Sequence, residues 1–185
     1  MSVAPIEIHG YAIVTDDDRI AGADGATPSG LRNEADWLNF QRELDQADLV
    51  VLGRRGHQAN PNVKGRRRLV VSNSAARLEA REGEIWWRPA AAPWRDVAAA
   101  LLPKGGRVAI PGGQGVFDLF LAIGYDAFHL TRGLGVIAPG GRALFSACDQ
   151  RASAEAVLTK AGLQPREKRI LDKAANIVLT VWRKR

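Results

Sequence analysis

The chain has 185 residues, of which 46% are hydrophobic and 25% charged. These proportions fit one folded domain, residues 1–185, with a sizeable core, and exclude a disordered or low-complexity chain. The single cysteine, Cys148, excludes an intrachain disulfide and a paired-cysteine metal site, and the net charge of +6, from 26 basic and 20 acidic residues, favours anionic partners.

No apolar run reaches the length of a membrane span, and Met1–Ile6 lacks the basic and apolar regions of a secretory signal, so a cytoplasmic location is the default. Ile6–Val14, rich in β-branched and apolar residues, predicts a first strand. Residues 15–30, with Asp16-Asp17-Asp18 and glycines at 22, 25 and 30, predict a long loop of the kind that binds or covers a ligand. A helix is expected from about Leu31 to Gln46, then a strand buried on both faces at Leu49–Leu52. Leu69–Val71 and Glu84–Arg88 read as further strands, and Ala92–Leu102 as a helix. Arg107–Ile110 is again a buried-type strand, Gly112–Gly115 a turn, Val116–Ile123 a helix and Ala127–Thr131 a strand. After a loop-rich stretch at 133–152, Ser153 can cap a helix running to Ala161, and Ile170-Leu171 and Ile177–Trp182 close the chain as strands. Strands alternating with helices, then a terminal hairpin, predict an α/β sheet with an antiparallel edge.

At about 100° per residue, Leu31, Ala35, Trp37, Leu38, Phe40 and Leu44 form one apolar arc of the first helix, with Arg32, Asp36, Asn39 and Glu43 opposite. Glu34 falls inside the arc. A carboxylate there is desolvated, which raises its pKa against the opposing helix N-terminus, a competition found where a carboxylate works as an acid. The alternative is a first-turn glutamate that bonds backbone amides in a capping arrangement.

Arg54 and Arg55 directly follow a buried strand, where open α/β sheets bind ligands, and their planar forks suit phosphate. Ser72-Asn73-Ser74 follows the next strand and offers hydroxyl and amide donors at the same edge. Gly112-Gly113-Gln114-Gly115 stands between a strand and a helix, so its backbone can approach a phosphate closely and the helix start can present free N–H groups. Its glycine spacing is not that of the doubly wound dinucleotide fingerprint. Gly65-Arg66-Arg67-Arg68 either clamps a substrate carboxylate or is a solvated basic loop. A nucleic-acid surface across residues 54–68 is a further reading, but Phe, Tyr and Trp are all absent there, so stacking platforms are missing. His9, His57 and His129 lack metal-ligand spacing and read as structural or solvated, and no serine sits in a nucleophile elbow.

Taken together these strings resemble the dihydrofolate reductase family over most of the chain. Asp18-Arg19-Ile20-Ala21-Gly22 followed by Pro28 is similar to the family's mobile active-site loop. Leu31-Arg32-Asn33-Glu34 resembles the start of the first helix in animal-type members, where the glutamate is the active-site acid, with Leu38 an apolar pterin contact. Gly53-Arg54 resembles the turn whose basic residue binds the cofactor 2′-phosphate. Gly65-Arg66 before Leu69-Val70-Val71-Ser72 resembles the segment whose arginine holds the folate carboxylate. Ile110-Pro111-Gly112-Gly113 with Val116-Phe117 resembles the glycine-pair turn under the cofactor, which carries a cis bond, and His129-Leu130-Thr131 the later strand with its structural threonine. The chain departs from the pattern at Ser29, where the family has a tryptophan, at Gly56, where it has a threonine, and at Gln114, which interrupts the glycines.

The resemblance implies a mostly parallel twisted sheet with an antiparallel C-terminal strand and helices on both faces. It implies a cytoplasmic NADPH-dependent oxidoreductase that reduces a C=N bond of a dihydropterin, most simply dihydrofolate to tetrahydrofolate in one-carbon metabolism. Glu34 is then the acid. Ala12, Ile20, Gly22, Gly53, Arg54, Arg55, Ser72, Asn73, Ser74, Gly112, Gly113, Gln114, Gly115 and Val116 contact the cofactor. Leu38, Arg66, Ile110, Phe117 and Thr131 contact the substrate. The expected partner is a small-molecule pterin, with no nucleic acid, no membrane and no metal, in a monomer or homodimer. Alternative readings are reduction of dihydromethanopterin, reduction of a riboflavin-pathway pyrimidine, and NADPH binding without catalysis.

Overall fold

The computed structural model describes residues 5–185; Met1–Ala4, most of the start read against a secretory signal, lie outside the described residues. In chain order the elements are β1 (Ile6–Val14), β2 (Arg19–Ala21), α1 (Glu34–Asp45), β3 (Leu49–Gly53), α2 (Arg54–Ala59), β4 (Arg68–Val71), β5 (Leu78–Arg81), β6 (Glu84–Trp87), α3 (Trp94–Leu101), β7 (Gly106–Gly112), α4 (Gln114–Ile123), β8 (Ala127–Gly133), β9 (Arg142–Ala143), α5 (Ala154–Lys160), β10 (Leu163–Asp172) and β11 (Ile177–Lys184).

Nine strands form one sheet in the order β10-β11-β8-β1-β7-β3-β4-β6-β5. Neighbours from β8 through β6 run parallel, β11 is antiparallel to β8, and β5 is antiparallel to β6. The expected antiparallel C-terminal strand is present, and the opposite edge is antiparallel too. A helical reading is absent from the sequence at Arg54–Ala59, where six residues without apolar periodicity nevertheless form α2. Leu78–Arg81 likewise pairs as β5, an edge strand of four residues whose Leu-Glu-Ala-Arg alternation is too short to stand out in the sequence.

The two faces of the sheet are unequal. On the face covered by α3, α4 and α5, alternate residues such as Ile8 and Val14 of β1 and Phe128 and Leu130 of β8 join the large core. There Phe117, Phe120, Phe128 and Phe145 have almost no solvent exposure, and each contributes on the order of 2 kcal/mol through burial. On the other face Tyr11, Val50, Leu52 and Ala109 meet Phe40 and Leu44 of α1 in a small second cluster. Only part of that face is covered, and the uncovered part becomes a cleft at the C-terminal ends of β1, β3, β7 and β8.

Asn33 caps α1 by accepting a hydrogen bond from the Asp36 N–H. Its own amide donates to Asp172 at 2.8 Å, which ties the helix start to the β10–β11 hairpin. The face α1 turns to the sheet keeps only part of the apolar arc expected from the sequence, Phe40 and Leu44. Trp37 and Leu38 are 54% and 60% exposed, whereas Asn39 and Leu44 are buried. Within the supposed solvent stripe, Asp36 and Glu43 point inward because the sheet offers them polar partners, and Asn39 is buried while accepting from Arg42 of the same helix. Tyr11 donates to Glu43 at 3.2 Å, Arg107 lies 3.8 Å from Glu43, and Thr131 bonds Asp36. Matched polar groups cost little to bury, so apolar periodicity did not decide the register.

Candidate functional site

The cleft has a volume of about 930 Å³. Its floor is the sheet at Tyr11, Ile13, His129 and Thr131, and α1 forms one wall with Asp36 and Phe40. Ile20 from β2 and Leu31 from the turn before α1 close over it, and Leu31 is 2% exposed. An apolar lid over the cleft is therefore supplied by Leu31, while Ser29 is exposed.

Both Glu34 and Asp36 line this cleft, but only Asp36 is partly buried in it. Glu34 opens α1 at the rim, exposed, so its expected desolvation does not occur. Asp36, two residues on, turns toward β8. Burial raises its pKa above the ordinary carboxylate value, and the hydrogen bond from Thr131 pulls it part of the way back. Thr131 is 3% exposed and lines the cleft as expected.

Two other substrate-side expectations need correction. Leu38 is exposed on the outer face of α1 and does not line the cleft. Ile110 is fully buried in the large core, and its neighbour Pro111 borders the cleft instead, because β7 alternates its side chains between faces. Phe117 reaches both the core and the cleft.

Arg66 lines the cleft, but its guanidinium is already engaged. It donates to Asp45 from both Nε and Nη2 and to the Gln41 side chain at 2.7 Å. A carboxylate from another residue of the chain thus takes the place expected for a substrate carboxylate. Arg68, read from sequence only as part of a basic run, is 8% exposed and also borders the cleft. It donates to the Asn60 carbonyl at 2.7 Å, while its Nε has no partner among the described residues. Burial lowers the Arg68 pKa from its usual high value.

Opposite Asp36, the cleft is bounded by Pro111, Gly112 and Gly113, and the Gly112–Gly113 bond is cis. Gly112 has φ +115°, and a Cβ there would stand 2.8 Å from the Phe117 ring, so glycine is required on both counts. Gly113 and Gly115 face open space around the first turn of α4. An open backbone at a helix start can receive an anionic group. Gln114 donates to Asp149 at 3.1 Å, and Asp149 in turn pairs with Arg19 of β2. Val116 is buried against Gly53, so these two pack the turn from behind.

Arg54 and Arg55 are exposed at the start of α2, with no ion pair among the described residues. Ser72 is buried and bonds Ser74 at 2.9 Å, and Ser74 accepts from Arg81, while Asn73 is exposed. Ala12 and Ile20 line the cleft; Gly22 lies outside it in a turn closed by Ala26. The open glycines and unpaired arginines fit a phosphorylated dinucleotide. Among the described residues no group of three metal-ligating side chains occurs, and no helix is long and apolar enough to cross a membrane.

No family model and no curated protein matches the chain. Solved structures do. A protein named for riboflavin biosynthesis, from Shewanella sp. PV-4, superposes with a TM-score of 0.69 at 17% identity over 97% of this chain and 99% of that one. A diaminohydroxyphosphoribosylaminopyrimidine deaminase/5-amino-6-(5-phosphoribosylamino)uracil reductase from Thermotoga maritima gives 0.69 at 14% identity, over 98% of this chain and 57% of its own length. Dihydrofolate reductase from Enterococcus faecalis, complexed with NADP(H) and RAB-propyl, gives 0.65 at 16% identity, over 96% and 95%. With the sheet order, the glycine-pair turn and the cleft already described, these likenesses identify the chain as a protein of the dihydrofolate reductase-like fold.

Proposed function

We propose that the protein is an NADPH-dependent reductase of a dihydropterin or a closely related heterocycle. One observation carries the reading: Asp36, a half-buried carboxylate with a raised pKa, bonds Thr131 across a cleft from an open glycine turn. A planar amidine-bearing ring fits between these two features. Asp36 would hold two ring N–H groups and favour the protonated ring, and Thr131 would orient the carboxylate. Leu31, Ile20 and Phe40 exclude water from the ring faces. Gly113, Gly115 and the α4 start would receive the cofactor diphosphate, with Arg54, Arg55 and the Ser72–Ser74 turn near its 2′-phosphate. NADPH, when bound, supplies the hydride.

The substrate is either a pterin or a riboflavin-pathway pyrimidine. The likeness to two proteins named for riboflavin synthesis supports the pyrimidine, as does the Arg66–Asp45 pair, which leaves no free fork for a carboxylate tail. The buried acid beside a threonine supports either ring. A single-domain protein acting in the cytoplasm completes the proposal.

NADPH oxidation measured in parallel with dihydrofolate, a tail-less dihydropterin, dihydromethanopterin and the pyrimidine tests it. Turnover of at least one is expected. Cofactor binding without oxidation by any of them would overturn the enzymatic reading in favour of an NADPH-binding protein.

A further inference from the structure

α1 ends at Asp45, and beyond its last turn the same sheet face opens into a second cavity of about 190 Å³. Its floor is made by two histidines of neighbouring strands, His9 on β1 and His129 on β8, whose rings stack at 5.7 Å. Three arginines surround them: Arg107 from β7, Arg169 from β10 and Arg183 from β11. The strand register brings them together, since His9 pairs with Ala127 and Ala127 with Arg183.

Three arginines line the cavity against two carboxylates. Of its two carboxylates, Glu43 lies 3.8 Å from Arg107 and Glu167 lies 2.9 Å from Arg169. Glu7, at the margin, approaches His9 at 3.5 Å. The Arg183 side chain has no hydrogen bond or ion pair among the described residues and is exposed. His129 is 6% exposed, and neither of its ring nitrogens has a partner. A buried imidazole with two unsatisfied nitrogens is costly unless a ligand or water meets it.

We propose that this groove binds a small oxyanion of the phosphate class, gripped by the Arg183 and Arg169 forks and receiving a hydrogen bond from the His129 ring N–H. Tetrahedral oxygens suit planar guanidinium groups converging from two strands. The cavity has room for the anion and a few waters rather than for a nucleotide. A metal ion is disfavoured by the three surrounding arginines. The titration of His129 points the same way. Burial and then its neighbours His9, Arg183, Arg169 and Arg107 push its pKa down to about 3, with no acid among its causes pulling it back. An anion in the groove supplies the missing negative charge. His129 also borders the large cleft.

The chain has three histidines, so their imidazole ¹⁵N–¹H signals form a simple readout in the intact protein. Inorganic phosphate is titrated at constant pH and ionic strength, with methyl phosphate in parallel. Saturable shifts at His129 and His9, with His57 unmoved, are expected, and Arg183→Gln should weaken them roughly tenfold, the worth of one charge-assisted hydrogen bond. Tighter binding of inorganic phosphate identifies the free ion as the ligand, and tighter binding of methyl phosphate an ester. No saturable shift with either probe, or an affinity unchanged in Arg183→Gln, would overturn the proposal. The readout involves neither turnover nor NADPH, so it stands apart from the reductase reading.

Discussion

The carboxylate of Asp45 accepts two hydrogen bonds from the guanidinium of Arg66, from Nε at 2.9 Å and from Nη2 at 2.5 Å. Lys64 adds a third contact at 2.7 Å and, with Arg66, holds the Asp45 pKa below the usual carboxylate range. Arg66 is thus neutralised from within the chain, at the one place where the sequence suggested a clamp for a substrate tail. Asp45→Ala removes both the charge and the acceptor and frees the fork. If the protein reduces pterins, the kcat/KM ratio of dihydrofolate to a tail-less dihydropterin should rise roughly tenfold, the worth of a charge-assisted hydrogen bond. An unchanged ratio, with both substrates still reduced, would show that Arg66 does not face the tail.

Gly115 lies in the first turn of α4, where a Cβ would meet nothing within 4 Å. Gly115→Ala therefore introduces no clash within the protein and gains helix propensity, about 1 kcal/mol. If a dinucleotide rests on this turn, the added methyl displaces it, and NADPH affinity should fall roughly tenfold, or about 1–2 kcal/mol. A higher melting temperature with weaker NADPH binding is the expected pair of results. Unaltered affinity would move the cofactor away from this turn.

Much of this architecture is legible in the sequence because buried parallel strands are continuous apolar runs. Leu49–Leu52 and Leu69–Val71 are of that kind, and both lie within strands of the sheet. The glycine turn is legible because Gly112 needs a backbone that other residues avoid. The acid is not. Glu34 and Asp36 lie two residues apart, so a helix places them about 200° apart, and choosing between them requires the true inward face. That face carries Asp36 and Glu43, whose partners Thr131, Tyr11 and Arg107 come from distant strands. Apolar periodicity contains no information about such long-range polar pairs. The Arg66–Asp45 bridge spans 21 positions and is hidden for the same reason.

His129 should make the fold sensitive to acid. Its pKa is lowered from 6.5 to about 3, chiefly by burial, and that of His9 is lowered in the same direction. Between those values the unfolded chain takes up a proton that the folded protein refuses, so stability is full above about pH 6.5 and declines toward pH 3. His129→Phe keeps a ring to stack on Tyr11, which lies 4.5 Å away, and removes the titrating group. Urea unfolding from pH 7 to pH 4 should show a flatter stability profile for the variant than for the native chain. Parallel profiles would mean that water already satisfies and protonates the ring.

Asp36 titrates with the opposite sign. Its pKa is raised above 3.8 in the folded protein, so folding favours the protonated acid. The stabilisation is complete below the unfolded value and is lost as pH rises through the folded one. At neutral pH the ionised carboxylate is a burden on the fold, which Thr131 only partly relieves. Asp36→Asn keeps the shape and removes the charge, so it should raise the neutral-pH melting temperature while lowering turnover at least about a hundredfold, the usual worth of a positioned acid or base. NADPH affinity should not change, because the glycine turn lies across the cleft. Glu34→Gln, at the exposed helix start, should leave both stability and turnover as they are. A stabilised but inactive Asp36→Asn beside an active Glu34→Gln is the signature of a carboxylate retained for chemistry at a cost to folding. The reverse pattern would return the acid to position 34 and require α1 to turn when substrate binds.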